Sequence, residues 1–302
     1  MNNSFSRPLA VVTGASNGIG YELAKQFARN GFDLLITATG DSINKAAHAL
    51  AELGTKVETV EADLATYDGV EKLYNQIHAT GRPVDAIAIN AGVGVGGDFA
   101  RETDLQDELN LINLNVVSAV HLAKRVVKDM VDRNHGRILF TSSIAAIMPG
   151  PFEAVYAASK AFIHSFSEAL RNELKDTGVT VTSLMPGPTE TNFFHRAGMD
   201  DTKAGANEKD DPAQVAKQGF EALMAGKDAV IAGSLKTKIQ GNVSKVLPDT
   251  ANAEQHRKLT EPGSAHKKIL LRVTEDLCTF IILIAAVCVR LAAHCLMVSV
   301  AV

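Results

Sequence analysis

At 302 residues the chain is long enough for one large α/β domain or for two small domains. Charged residues make up 21% and the formal net charge is −4, so no basic surface is on offer to a polyanion and nucleic acid is set aside as a partner. The three cysteines, Cys278, Cys288 and Cys295, lie at the far end of the chain, which leaves residues 1–277 without a disulfide, a thiolate nucleophile or a cysteine metal site.

Met1–Pro8 is short and polar, with no basic stretch leading into an apolar run, so no secretory leader is expected and the body is expected in the cytoplasm. From Leu9 to about Ile231, short runs of Val, Ile and Leu alternate with segments of helical period. This alternation predicts a doubly wound (Rossmann) α/β fold, a parallel sheet of about seven strands in one domain spanning residues 1–232.

The first strand, Leu9–Val12, runs into Thr13-Gly14-Ala15-Ser16-Asn17-Gly18-Ile19-Gly20 and a helix near 18–30. Residues without Cβ let a backbone fold tightly against a pyrophosphate, and the helix N-terminus behind them supplies N–H groups and positive dipole. The spacing G-x-x-x-G-x-G differs by one residue from the general dinucleotide fingerprint, so the turn counts only through its strand-turn-helix setting. The second strand, Asp33–Ala38, ends at Thr39-Gly40 with no carboxylate to bond a ribose 2′-hydroxyl. That tilts the cofactor towards NADP, with NAD the alternative, because Thr39 and Ser42 could meet a 2′-phosphate while Asp41 lies close and no arginine does.

After a helix near 41–53 and a strand at Lys56–Glu61, Asp63 reads either as a helix cap or as an adenine contact. Beyond a helix near 67–80, the strand Val84–Asn90 closes on Asn90-Ala91-Gly92, a turn or a close approach to cofactor. A long helix over 101–131 carries Asn115 inside an apolar run, where an unpaired amide would be costly and a partner is therefore expected. The strand Gly136–Ser142 brings Ser143 to the carboxyl edge of the sheet, where it could donate to a carbonyl oxygen gaining charge, or merely cap a turn. In the helical segment 152–177, Tyr156 and Lys160 stand four apart and share a face. A phenol titrates near 10, and a neighbouring cation favours the phenolate, so Lys160 is expected to draw Tyr156 into working range.

A strand at Val179–Leu184 leads to residues 190–211, whose mixed glycine, charge and paired phenylalanines predict a long loop or lid. Asp211 and Pro212 open a helix over 212–226, and Ala229–Ala232 is the last strand. Residues 233–268 are polar and weakly patterned, and predict a surface extension and linker. Within the final segment, 269–302, the stretch Leu277–Val302 has 26 residues against the roughly 20 that cross a bilayer. Its apolar side chains contribute about −4 to −8 kcal/mol against about +2.5 to +3.5 for a central arginine, here Arg290, so a membrane anchor, an interface helix and a dispensable extension all remain open.

Taken in order, TGASNGIG at 13–20, Asp63, Asn90-Ala91-Gly92, Asn115, Ser143, YAASK at 156–160 and Pro186-Gly187 followed by Thr191 resemble the short-chain dehydrogenase/reductase family in its single-domain branch. The resemblance implies a tetrad in which Asn115 holds a relay water, Ser143 orients the substrate carbonyl, Tyr156 is the general acid/base and Lys160 tunes it while binding the nicotinamide ribose. It also implies that Pro186, Gly187 and Thr191 touch the nicotinamide end, that no metal is needed, and that the helices at 101–131 and 152–177 pair the chain into a homodimer or homotetramer. The expected activity is NAD(P)-dependent interconversion of a carbonyl and a secondary alcohol. Phe152, Phe193, Phe194 and Met199 favour an apolar small-molecule substrate. Two alternatives use the same fold: a cofactor-binding or scaffolding protein without turnover, and a sugar-nucleotide epimerase or dehydratase. The latter branch has a different glycine spacing and a larger substrate domain.

Overall fold

The computed structural model describes residues 7–265. Its seven strands are β1 (Leu9–Thr13), β2 (Asp33–Ala38), β3 (Val57–Glu61), β4 (Val84–Ile89), β5 (Gly136–Thr141), β6 (Val179–Pro186) and β7 (Ala229–Ala232). All pair in parallel, in the order β3-β2-β1-β4-β5-β6-β7. Between them run α1 (Gly18–Arg29), α2 (Ser42–Ala51), α3 (Tyr67–Ala79), α4 (Leu105–Ile112), α5 (Ser118–Asp132) and α6 (Ala154–Glu173). After β6 come the short α7 (Phe193–Arg196) and α8 (Lys203–Ala206), then α9 (Pro212–Met224), and after β7 α10 (Leu235–Ser244) and α11 (Asp249–Thr260).

Both faces of the sheet are covered at its centre, which is why β1, β2 and β4 are buried almost throughout, while the edge strand β3 exposes Glu58, Thr59 and Glu61. Alternation along β1 sends Leu9 and Val11 to a core shared with Val70 and Leu73 of α3, Leu122 and Val126 of α5 and Ile163 of α6. Ala10 and Val12 face the other core, with Leu23 and Phe27 of α1, Ile43 of α2 and Phe220 and Leu223 of α9. Each such buried Leu, Ile or Phe contributes about 1.5–3 kcal/mol. The chain winds outward from β1 to β3 and returns on the other side of β1 to β4, so a crevice opens at the carboxyl ends of β1 and β4.

Three expectations give way. The helix expected over 101–131 starts only at Leu105, where the Asp104 carboxylate accepts from the Gln106 N–H at 2.7 Å, and it is broken by a π-helical turn over Asn113–Val117 before α5. Such a turn adds a residue without disturbing the apolar stripe, so periodicity does not reveal it. Residues 190–211 are no open loop: α7 and α8 enclose a small core of Phe194, Ala197 and Met199, and Asp210 bridges back to Thr189. Residues 233–268, expected as a polar extension, instead supply α10 and α11 within the compact unit that ends at Ala265. Much of what these two helices bury is polar, namely Thr237, Ser244, Asn252, His256 and Thr260, with Thr237 bonded to Asp210, Asn252 Nδ2 to the Ser244 carbonyl, His256 to Glu153 and Thr260 to the Pro151 carbonyl, so no apolar period marks them.

Among the described residues no helix is long and apolar enough to cross a membrane. The expected apolar tail, residues 277–302, lies outside the described residues.

Candidate active site

The crevice begins with backbone. Past Thr13 the chain turns through Gly14 and Gly18, both in the left-handed region at φ +67° and +57°. A Cβ on Gly14 would stand 2.9 Å from the Cα of Ala91, and one on Gly20 would stand 2.2 Å from the Gly14 carbonyl oxygen and 2.5 Å from Asn90 Nδ2. The turn therefore packs flush against the end of β4. Asn17 makes no capping hydrogen bond to α1 and the first turn holds no acidic side chain, so the N-terminus of α1 presents its N–H groups to the crevice uncapped, the setting an anionic pyrophosphate needs.

Hydrogen bonds lock the two strand ends together. The Thr13 hydroxyl accepts from the N–H groups of Asn90 and Ala91, both at 2.9 Å, while Asn90 Nδ2 donates to the Thr13 carbonyl at 3.0 Å. Thr141, at the end of β5, donates to Asn90 Oδ1 at 3.0 Å. Thr39 is exposed at the tip of β2 and lines the same cleft; Asp41 does not line it, and accepts from Asn44 Nδ2 at 2.8 Å. Asp63 lines the cleft and accepts from the Ala65 N–H at 3.0 Å in the turn before α3; that helix is capped by Thr66, whose hydroxyl accepts from the Gly69 N–H at 3.0 Å, so the cap reading of Asp63 gives way.

Of the residues singled out in the sequence for cofactor contact, Gly14, Ser16, Asn17, Gly18, Ile19, Gly20, Thr39, Asp63, Asn90, Ala91, Gly92, Tyr156, Lys160, Pro186, Gly187 and Thr191 line this one cleft, whereas Ser42, the second hydroxyl expected at a 2′-phosphate, does not. Ser143 lines it as well. Asn115 does not. It sits behind Gly92, its Oδ1 accepting from the Val93 N–H at 2.9 Å and its Nδ2 donating to the Val93 carbonyl at 2.9 Å and to Ser159 Oγ at 3.1 Å. The π-helical turn brings it there, and a Cβ on Gly92 would lie 3.1 Å from Asn115 Oδ1 and 3.2 Å from Lys160 Nζ.

Tyr156 and Lys160 occupy the first two turns of α6, with the ammonium 5.7 Å from the phenol ring centre. Lys160 is buried and donates to the Thr141 carbonyl at 3.0 Å; burial pushes its pKa down to about 8. Tyr156 moves the opposite way from the expectation. Burial pushes its hydroxyl well above the ordinary phenol value, the Glu153 carboxylate adds to that, and a hydrogen bond with Ser143 opposes it. Desolvation is the largest of these effects, so the phenol is held protonated. Ser143 Oγ also accepts from the Ala145 N–H at 3.1 Å, so it caps a turn and faces the phenol at once.

Of the four apolar residues expected at the substrate, Phe193 and Phe194 line the cleft, with the Phe193 ring centre 5.1 Å from that of Tyr156. Met199 is buried in the small core behind them, and Phe152, at φ +61°, stacks under the Arg257 guanidinium at 5.0 Å. Met148 and Leu259 complete the apolar wall. The sequence reading missed Glu153 and His256, which also line the cleft and pair at 2.9 Å. Glu153 stands three residues before Tyr156 and could have been noticed for that spacing; His256 is 103 residues away in a segment without apolar period, and no local signal marks it.

The family model described as short chain dehydrogenase matches residues 8–202. Oxidoreductase UcpA of Salmonella typhimurium is 30% identical over 246 residues, covering 80% of this chain and 91% of that protein. The NADP-dependent 3-hydroxy acid dehydrogenase YdfG of Salmonella typhi is 33% identical over 199 residues, covering 65% of this chain and 79% of its own. Among solved structures, a short-chain dehydrogenase from Sphingobium yanoikuyae in complex with NADPH superposes with a TM-score of 0.69 at 28% identity, covering 74% of this chain and 87% of that one.

Proposed function

This chain belongs to the short-chain dehydrogenase family, and from that membership we propose that it is an oxidoreductase moving a hydride between a nicotinamide dinucleotide and a carbonyl or secondary alcohol carbon, with Tyr156 as general acid/base. The observation that carries the reading is the meeting, in one cleft, of an uncapped glycine-turn helix with the Ser143 hydroxyl, the Tyr156 phenol and an ammonium one turn farther along α6. The residues present fit the cofactor: the α1 N-terminus and glycine turn suit its pyrophosphate, and Pro186, Gly187 and Thr191 suit its nicotinamide end. When bound, the nicotinamide ring supplies or accepts the hydride.

In the reducing direction Ser143 donates to the carbonyl oxygen and holds it as charge develops there. The Tyr156 phenol, kept protonated by burial, gives its proton to that oxygen as the carbon gains hydride, so the alcohol leaves neutral and a phenolate remains. Lys160 stabilises that phenolate from the next turn of the helix. Asn115 acts one layer back, fixing Val93 and Ser159 and using its remaining oxygen lone pair for a relay water. Phe193 shields the phenol from bulk water.

The apolar wall of Phe193, Phe194, Met148 and Leu259 supports an apolar or amphipathic carbonyl substrate. The tip of β2, with Thr39 on the cleft and Asp41 engaged elsewhere, supports NADP over NAD. Exposed Leu105, Leu109, Ile112, Val117 and Phe162 on the α4–α5 and α6 helices support a homodimer or homotetramer. The deciding experiment is a screen of NADPH and NADH consumption against a panel of aldehydes and ketones, with Tyr156→Phe alongside. Turnover by the wild type that vanishes in the variant is expected; unchanged turnover in Tyr156→Phe overturns the assigned acid.

A further inference from the structure

The Glu153–His256 pair is the buried ionisable group of the cleft that the chemistry above does not use. Glu153 is the residue at which α6 begins, and His256 comes from α11, brought over by the Thr260 hydroxyl donating to the Pro151 carbonyl at 2.8 Å. Their relative exposures are 6% and 9%. His256 Nε2 meets Glu153 Oε2 at 2.9 Å. A carboxylate only accepts, so Nε2 carries the proton of this bond, and Nδ1 is the ring's second polar atom. Neither His256 Nδ1 nor Glu153 Oε1 has a hydrogen-bond partner among the described residues, and neither is one of the fully enclosed polar atoms that lack one, so both retain access to open space. Both residues line the cleft beside Met148, Phe193, Phe194 and Leu259, and Gln240 and Thr260 line it as well.

An unpartnered carboxylate oxygen with an unpartnered ring nitrogen beside it, among apolar side chains one helical turn from the reacting phenol, calls for a polar hydrogen-bonding group from the ligand. We infer that Glu153 and His256 form a polar subsite that binds a hydroxyl or amine carried by the substrate at a carbon away from its reacting carbonyl. The inference rests on the oxidoreductase reading and narrows it, from carbonyl compounds in general to hydroxy- or amino-ketones and the matching diols or amino alcohols. A substrate carboxylate at that place meets the Glu153 charge and is rejected. Arg196 of α7 also lines the cleft, but it is exposed and its charge is screened by water.

The test compares three kinds of ketone of one chain length: the plain ketone, a series bearing a hydroxyl at successive carbons, and the ketone bearing a carboxylate. In the wild type, kcat/KM for the best hydroxy-ketone is expected to exceed that for the plain ketone by about 10- to 100-fold, chiefly through KM, with the keto acid poorest. In Glu153→Gln and in His256→Asn the ratio of hydroxy-ketone to plain ketone is expected to collapse towards one. A pair that only pins α11 in place would lower both substrates together and leave the ratio intact, and that result overturns the subsite. So does a wild type that turns over all three compounds without preference, a measurement that needs no variant to fold. Turnover of none of them with either cofactor is a different failure, since it removes the oxidoreductase reading itself.

Discussion

Around its nucleotide half the cleft is made of main chain: Gly14, Gly18, Gly20 and Gly92 bring backbone to the surface, and the neighbouring contacts are N–H groups and carbonyls of adjacent strand ends. Around its substrate half the cleft is made of side chains drawn from α6, α7 and α11, separated by up to 103 residues and held by pairs such as Glu153–His256. A dinucleotide is invariant, so a short stretch of chain with no side chain in the way suffices to bind it. A substrate varies, and its pocket is assembled by tertiary packing from residues that have no fixed spacing.

The sharpest way to separate the halves is to disable the chemistry and leave the nucleotide side intact. Tyr156→Phe removes only the transferable proton, and kcat/KM is expected to fall by about 10²- to 10⁴-fold while NADPH or NADH binding, followed by fluorescence titration, stays within a few-fold. A comparable loss in cofactor affinity would mean that the phenol belongs to the nucleotide half.

A second way uses Lys160, which stands at the seam. In the cofactor-free protein its folded pKa is about 8 against 10.5 for the free side chain. Below about pH 8 both folded and unfolded chains hold the proton and the burial cost is fully present. Between about pH 8 and 10 the folded chain has released it while the unfolded chain retains it, so the unfolded state binds more protons and stability rises with pH, by about 1.4 kcal/mol per unit and about 2–3 kcal/mol in all. Above that window the raised phenol of Tyr156 reverses the sign, because the folded state then keeps a proton that the unfolded state gives up. Denaturant titrations of the cofactor-free wild type and Lys160→Met from pH 7 to about 10 check this; the rise is expected in the wild type and missing from the difference if Lys160 is not its source.

The nucleotide half is tested by filling a space that the backbone needs. Gly20→Ala places a methyl 2.2 Å from the Gly14 carbonyl oxygen, which cannot move without displacing the turn. Overpacking of this kind costs about 1–3 kcal/mol, so a lower melting temperature and a cofactor affinity weaker by about 5- to 100-fold are expected, with KM for the carbonyl substrate much less affected. An equal rise in both KM values would show that the halves are mechanically joined.

The same division explains what was readable in the sequence. The seven strands, the main helices between them and most of the cleft's glycine rim follow from local patterns, because strand apolarity and glycine spacing are properties of contiguous residues. Tyr156, Lys160 and Ser143 were legible for the same reason. Glu153 with His256 was not, since their partnership depends on α11 folding back over the loop before α6, and α11 buries Asn252, His256 and Thr260 instead of an apolar stripe. Asn115 was legible as a buried amide, but its π-helical turn was not, because one inserted residue leaves hydrophobic periodicity nearly unchanged.

The smallest expected effect concerns the nucleotide's own variable part, its 2′ position. Thr39 is exposed at the end of β2 and lines the cleft with Ala38, whereas Asp41 bonds Asn44 and does not line it, which leaves this strand end without a carboxylate on the cleft. Thr39→Asp supplies one. A carboxylate at this tip bonds a ribose 2′-hydroxyl and repels a 2′-phosphate, but exposure to water and salt reduces both terms, so the ratio of NADPH to NADH efficiency is expected to fall only about tenfold. Because the substituted side chain lies away from the substrate wall, the ranking of carbonyl substrates should be the same with either cofactor. A ratio that does not move would place the 2′ position away from Thr39, and a substrate ranking that changes with it would mean that the invariant half of the cleft also helps to choose the substrate.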